Sequence, residues 1–118
     1  MSSRKTLISY AERHFGVKSD QPFKKYPDYA ALRHPGSEHW FALFMKVPSS
    51  RLNIEGDGEI DIVDIKCRPE DVGSLRKKKG FLPAYHMNKE HWITVLLDGS
   101  VESELIHLLM EQSFNLTK

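Results

Sequence analysis

"GDGEIDIVDIKC", Gly56 to Cys67, is the stretch on which the fold turns. Gly56, Asp57 and Gly58 suit a tight turn, after which Glu59, Ile60, Asp61 and Ile62 alternate polar and apolar with the period of a half-buried strand. At Val63 the phase slips, and Val63, Ile65 and Cys67 carry the apolar set on the opposite parity. A β-bulge near Ile62–Val63 would produce such a slip; so would a strand covered on both faces. We favour the bulge. Glu59, Asp61 and Asp64 then read as a wet strand face, with a divalent-cation site as the minority alternative.

Upstream, "EHWFALFMKV" (residues 38–47) puts Phe41, Leu43, Met45 and Val47 on one side and Trp40, Ala42 and Phe44 on the other. Apolar residues on both parities describe a central strand. Before it, Pro22, Pro27 and Pro35 break residues 17–36 into loop, with room for a short strand around Tyr29 to Arg33. Downstream, "RPEDVGSLRKKKG" predicts a short helix: Pro69 suits its first turn, Glu70 and Asp71 its positive end, and Arg76 to Lys79 its negative end before Gly80. A turn or strand "FLPAYHM" and a strand "HWITVLLD" follow.

Helices close both ends. Leu7, Ile8, Ala11 and Phe15 recur on one helical face over Lys5 to Phe15, capped by Ser3 or Thr6 and stopped by Gly16. After the Asp98-Gly99 turn, Ser100 is expected to cap a helix over Val101 to Phe114, with Val101, Leu105, Leu108, Leu109 and Gln112 on one face, widened by Ile106 and Met110. Helices at the ends and turn-linked strands between them predict an α+β fold. It is a two-layer sandwich in which one antiparallel sheet is packed on one face by both helices, burying Leu7, Ala11, Leu105 and Leu109.

The 118 residues fit a single domain spanning residues 1–118, and 40% hydrophobic with 28% charged is a globular composition. No apolar run nears the roughly 18 residues that span a bilayer, and the N-terminus has no signal-peptide pattern, so no membrane contact and a cytoplasmic location are expected. Cys67 is the sole cysteine, which excludes an internal disulfide and a cysteine-based zinc site and suits a buried structural thiol. A formal charge of +1 supplies no bulk attraction for nucleic acid; such binding needs a local patch. "RKKK" at Arg76 to Lys79 is one candidate and "FKKY" at Phe23 to Tyr26 a weaker one.

Chemistry is sparse. There is no glycine-rich phosphate loop, no nucleophile elbow and no helical histidine pair of the metalloprotease kind. His86 and His91, five residues apart, suit capping better than metal ligation. The densest polar stretch is "YHMNKEHW": Tyr85, His86, Asn88, Lys89, His91 and Trp92 directly ahead of a strand. Asn88 can form an Asx-turn to which His91 bonds, and Trp92 can pack at the sheet edge. Tyr85, His86 and Lys89 are left free to touch a partner.

"YHMNKEHWITVLLDGS" followed by "ESELIHLLMEQSF" resembles the C-terminal signature of the MmcQ/YjbR family: an Asn-Lys-x-His-Trp block (Asn88, Lys89, His91, Trp92), a Thr-Val strand (Thr94, Val95), an Asp-Gly turn (Asp98, Gly99) and a helix ending near a Ser-aromatic pair (Ser113, Phe114). "FALFMKV" and "IDIVDIKCRPEDVGSLR" are similar to the strands and the Pro-Glu helix upstream, so the resemblance runs from Phe41 to Phe114. Phe114 stands where the family is expected to carry tyrosine. The resemblance implies a two-layer fold like that of frataxin and its bacterial relative CyaY, described as a double-wing DNA-binding fold. Frataxin's iron site uses acidic clusters; here the first helix offers Glu12 against Arg4, Lys5 and Arg13, which disfavours iron.

The expected function is therefore a small non-enzymatic DNA-binding protein, phosphate-directed and weakly sequence-specific, without cofactor or metal. Candidate contacts are Arg76, Lys77, Lys78, Lys79, Tyr85, His86 and Lys89, with Lys77 to Lys79 and Lys89 on one cationic surface and Tyr85 between them for stacking. Asn88, His91 and Trp92 are expected to be structural. The alternative partner is a protein, bound by an adaptor surface of exposed aromatics near Tyr85 and Trp92.

Overall fold

A computed structural model describes residues 3–118. Six strands form one antiparallel sheet: β1 (Ser19–Asp20), β2 (Ala30–Arg33), β3 (Trp40–Pro48), β4 (Glu59–Lys66), β5 (Phe81–Pro83) and β6 (Trp92–Leu96), in the order β1-β2-β3-β4-β6-β5. Three helices, α1 (Arg4–Phe15), α2 (Pro69–Arg76) and α3 (Ser103–Leu116), pack on one face. The α+β, two-layer expectation therefore holds, with α2 joining the terminal helices.

The N-terminal helix starts and stops as its sequence dictates. The Ser3 hydroxyl accepts from the Thr6 N–H while Thr6 Oγ1 accepts from the Ser3 N–H, a reciprocal box that satisfies two otherwise orphaned donors. Gly16 ends the helix at φ 67°, a left-handed conformation that costs glycine little. Leu7 and Ala11 are buried under α1. At the other end two details differ from expectation. Glu102, not Ser100, is the N-cap of α3; Ser100 instead gives its N–H to the Asp98 carboxylate in the preceding turn. The buried stripe of α3 is Ile106, Leu109, Met110 and Ser113, with Leu105 half-buried and Leu108 exposed. The buried face thus centres on Ile106 and Met110, the expected widening, rather than on Leu108 and Gln112. Ser113 fits in that stripe because its hydroxyl donates to the Phe41 carbonyl at 2.6 Å.

The strand that decides the fold has no bulge. β3 and β4 pair without interruption from Ala42↔Ile65 to Pro48↔Glu59, so parity is kept through Ile62 and Val63. Val63 and Ile65 face the helices with Ala42 and Phe44. Ile62 faces the other way with Leu43, Met45, Val47 and Leu96. Both faces are covered, and the bulge reading is corrected. The sheet's irregularity lies instead between Leu32 and Arg33, where Ala42 pairs with Leu32 and Trp40 with Arg33. The extra residue, Phe41, joins the helix-side core while Trp40 packs on the opposite face. A bulge re-aims one side chain in this way.

Candidate functional site

Among the described residues the second sheet face carries no α-helix. It is covered by the loop through residues 21–29, a 3-10 turn at Ser49–Leu52 and the loop between β5 and β6, which bring Tyr29, Leu52, Ile54, Tyr85 and Met87 against Ala31, Leu43, Met45 and Ile62. The cover is incomplete. A groove of about 260 Å³ remains, walled by Phe23, Tyr26, Tyr29 and Trp40, closed by His86 and Met87, with Leu43 and Met45 at its base. Phe23 stands nearly perpendicular to both Tyr29 and Trp40, with centroids 5.9 and 5.7 Å away, and Tyr26 stacks on Tyr29 at 4.8 Å. Burial, with the neighbouring Tyr85 and Tyr26 next, raises the Tyr29 hydroxyl pKa.

Beside the groove, sharing His86 with it, lies a more polar depression of about 400 Å³ lined by Arg51, Asn53, Tyr85, His86 and Lys89 among others. Arg51 donates a hydrogen bond to Tyr85, which raises its already high pKa and keeps it cationic. His86 sits at φ 63°, a strained backbone for a residue with a Cβ, and its ring lies 4.0 Å from that of Tyr85. Three residues that the sequence singles out meet here: Tyr85, His86 and Lys89 do line one surface. Arg51 joins them, a residue that its own neighbourhood in the sequence does not single out.

Beneath these loops a polar row crosses the sheet. Leu43, Asp64, Thr94 and Leu82 are successive cross-strand partners. The Tyr85 N–H donates to Thr94 Oγ1 at 2.9 Å, and Thr94 Oγ1 donates to Asp64 Oδ1 at 2.5 Å. Asp64 is 0% exposed and its Oδ2 has no hydrogen-bond partner. Burial pushes its pKa up to about 7, against the Thr94 hydrogen bond and the Lys89 charge that pull it down. The wet-face reading of Asp64 is thus corrected. With no bulge, Asp64 shares the parity of Ile60 and Ile62, opposite to Glu59 and Asp61. Glu59 is exposed, and Asp61 lies 3.7 Å from Arg4 of α1.

The cationic residues divide into two groups. Lys77, Lys78 and Lys79 are exposed beyond the end of α2, as is Arg76 in its last turn. The Gly80 carbonyl accepts from the Leu96 N–H, which sets this run beside the end of β6; there the Asp98 pKa is lowered, against burial, first by hydrogen bonds from Ser100 and last by the nearby Lys79 charge. Lys89 precedes the start of β6, beyond Pro83 at the far end of β5. An antiparallel pair puts the end of one strand beside the start of the next, so Arg76–Lys79 and Lys89 lie at opposite ends of the hairpin, roughly 13 Å of strand apart. The single surface expected for them, with Tyr85 between, does not form.

The Asn-Lys-x-His-Trp block builds the strand entrance. Asn88 Oδ1 accepts from the Glu90 N–H, the Asx-turn its sequence predicts, and its carbonyl accepts from Trp92. The His91 carbonyl accepts from Cys67 N–H at 2.7 Å, tying this entrance to the end of β4. Trp92 is only 8% exposed, so it offers no surface aromatic to an adaptor's partner. Cys67 is buried, and burial followed by the Asp71 charge pushes its thiol up to about 12. Among the described residues, no three His, Cys, Asp or Glu side chains gather as a metal would require, and no helix is long and apolar enough to cross a membrane.

Comparison with known proteins places this architecture. A Pseudomonas syringae protein solved by crystallography shares 50% identity and superposes with a TM-score of 0.96 over 99% of this chain and 100% of its own. A Deinococcus radiodurans protein with a DUF419 domain shares 27% identity at a TM-score of 0.73, covering 98% of this chain and 78% of that one. YyaQ of Bacillus subtilis is 42% identical over 118 residues, the whole of both chains, and YjbR of Escherichia coli K12 is 40% identical over 53 residues, 44% of this chain and 45% of that one. The YjbR family model matches residues 14–116, which take in the whole sheet, α2 and α3 but only the end of α1: the chain belongs to the YjbR family.

Proposed function

We propose that the chain is a non-enzymatic nucleic-acid-binding protein, phosphate-directed and weakly sequence-specific, acting through its helix-free sheet face. The observation that carries this reading is the depression where Arg51, Tyr85, His86 and Lys89 converge. A guanidinium and an ammonium beside two rings can hold a phosphate and flank its sugar. Arg76 to Lys79 form a second cationic region, reached by a nucleic acid long enough to pass the hairpin. The non-enzymatic part is supported by the two groups with the largest shifts: Cys67 is held as a thiol and Asp64 is sealed from any substrate.

The test is a titration of the protein with duplex DNA at two low salt concentrations. Micromolar binding is expected, with a logarithmic salt slope no steeper than roughly −4, since few cations are in play at about 0.9 per phosphate. Replacing Arg51 and Lys89 with glutamine weakens binding to all sequences alike. No binding at tens of micromolar protein, on the order of non-specific affinities, refutes the reading. The apolar base of the groove, Leu43 and Met45, favours a second reading, a peptide-binding adaptor, whose salt slope would be shallow.

A further inference from the structure

We infer that the aromatic groove seats an unpaired nucleobase, so that the protein prefers single-stranded over duplex nucleic acid. This rests on the nucleic-acid reading above and names its substrate class.

The groove's rings are unusually available. Phe23 is 38% and Tyr26 46% exposed; among the described residues the other exposed large hydrophobics are Leu108 and Leu116, both on α3. The sheet bulge at Leu32/Arg33 turns Trp40 to this face, where it stands against Phe23. The groove is therefore walled by ring systems from two separate elements, the 21–29 loop and β3. Such walls take a flat apolar group with a π face. A base within a duplex has both faces covered by its neighbours; an unpaired base can offer a face to the rings.

Charge chooses the occupant among flat groups. A further recess adjoins both the groove and the Arg51–Lys89 depression, sharing Tyr26 and Tyr29 with the first and Arg51 and Tyr85 with the second. Its charged lining is Lys25, Lys46 and Arg51 against Asp28 and Glu59. With Lys89 beyond it, the path leading out of the groove carries four cations and two carboxylates. An aromatic peptide side chain gains nothing from that excess; a base attached to a phosphate chain does. Lys25 and Arg33 already lie 5.7 Å from the ring centres of Tyr26 and Trp40, so cations border the rings themselves. The base enters the groove, and its flanking phosphates follow the cations toward Arg51 and Lys89.

The experiment measures binding of a labelled single-stranded oligonucleotide, a duplex of the same sequence and a free mononucleotide at low salt. It uses wild type, Tyr26→Ala and Tyr26→Phe, with near-ultraviolet circular dichroism to show that each variant is folded. Tyr26 is exposed, so its truncation leaves the core intact. The single strand binds at least about tenfold tighter than the duplex, and Tyr26→Ala loses roughly five- to hundredfold for the single strand alone, the range for base-stacking aromatics. Tyr26→Phe retains binding, since the ring and not the hydroxyl stacks. Equal single-strand and duplex affinity in wild type, or equal loss of both in Tyr26→Ala, overturns base seating while phosphate-directed binding stands. A mononucleotide bound as tightly as the strand overturns the strand as ligand. Binding of none of the three overturns both this inference and the reading on which it rests.

Discussion

Asp64→Asn separates the charge of the buried carboxyl from its shape. In the folded chain Asp64 is 0% exposed and its pKa stands at about 7, against 3.8 for the free side chain. A difference of about 3 units at ~1.4 kcal/mol each corresponds to about 4 kcal/mol, an order-of-magnitude figure for a fully buried group. Because the folded pKa is the higher one, the folded state holds a proton that the unfolded state has released between the two values. The stabilisation is complete below about pH 4, falls as pH rises and is gone above about pH 7. Asparagine keeps the oxygen that accepts from Thr94, places an amide nitrogen where Oδ2 has no partner, and does not titrate. Urea unfolding of wild type and Asp64→Asn from about pH 4 to about pH 8 therefore gives a difference that tilts toward the variant by up to ~1.4 kcal/mol per unit, then flattens. A difference that stays level across that range refutes the buried, proton-holding Asp64. A tilt in the opposite sense would mean that Lys89 stabilises the carboxylate more than burial opposes it.

Three further outcomes test the packing. Gly80→Ala destabilises by roughly 2–4 kcal/mol in denaturant unfolding, because Gly80 lies at φ +91° and a Cβ there would sit 2.4 Å from Val101 Cγ2 and 2.9 Å from Ser100 Cβ. Trp92→Ala costs about 3–5 kcal/mol as a truncated buried aromatic; a loss below about 1 kcal/mol would make it a contact residue instead. Cys67, buried with its thiol raised to about 12, stays unreactive toward a thiol reagent at neutral pH until denaturant is added; labelling of the native protein would refute its burial.

What the sequence disclosed depended on which force set each residue's place. The helix at residues 4–15 was legible because its cap, its apolar spacing and its terminal glycine all agree, and the Asx-turn at Asn88 because that geometry is local. Asp64 was misplaced because parity alone cannot tell a bulge from a second covered face; the answer lies in the loops of residues 21–29 and 84–91, far away in sequence. The α3 stripe was rotated for a related reason. Ser113 is polar by composition, and its burial depends on a carbonyl of β3. Arg51 was missed because nothing beside it in the chain marks it, and it meets Tyr85 and Lys89 only through the fold. The cationic residues misled in the opposite direction: Lys79 and Lys89 are only ten positions apart in sequence, yet a short antiparallel hairpin sends them to opposite ends.

The candidate site lies where it does because the two faces of the sheet are closed by different means. Helices cover one face continuously, since each helix brings a whole apolar stripe and satisfies its own backbone. Loops cover the other, and a loop must keep its backbone polar groups near water or pair them one by one, as the Tyr85 N–H does with Thr94 and the Asn88 carbonyl with Trp92. Such a cover is thinner and leaves gaps. At those gaps the chain exposes Phe23 and Tyr26, strains His86 and strands one oxygen of Asp64, all on the same side of the sheet. The helix-covered side has its own costs, exposed Leu108 and Leu116 on α3 and polar atoms of Arg4 and Asp61 without hydrogen-bond partners, but not this grouping of exposed rings and a strained histidine. Exposed rings and a strained residue set beside Arg51 and Lys89 are the pattern expected where a surface is shaped to meet a partner rather than to stabilise the fold.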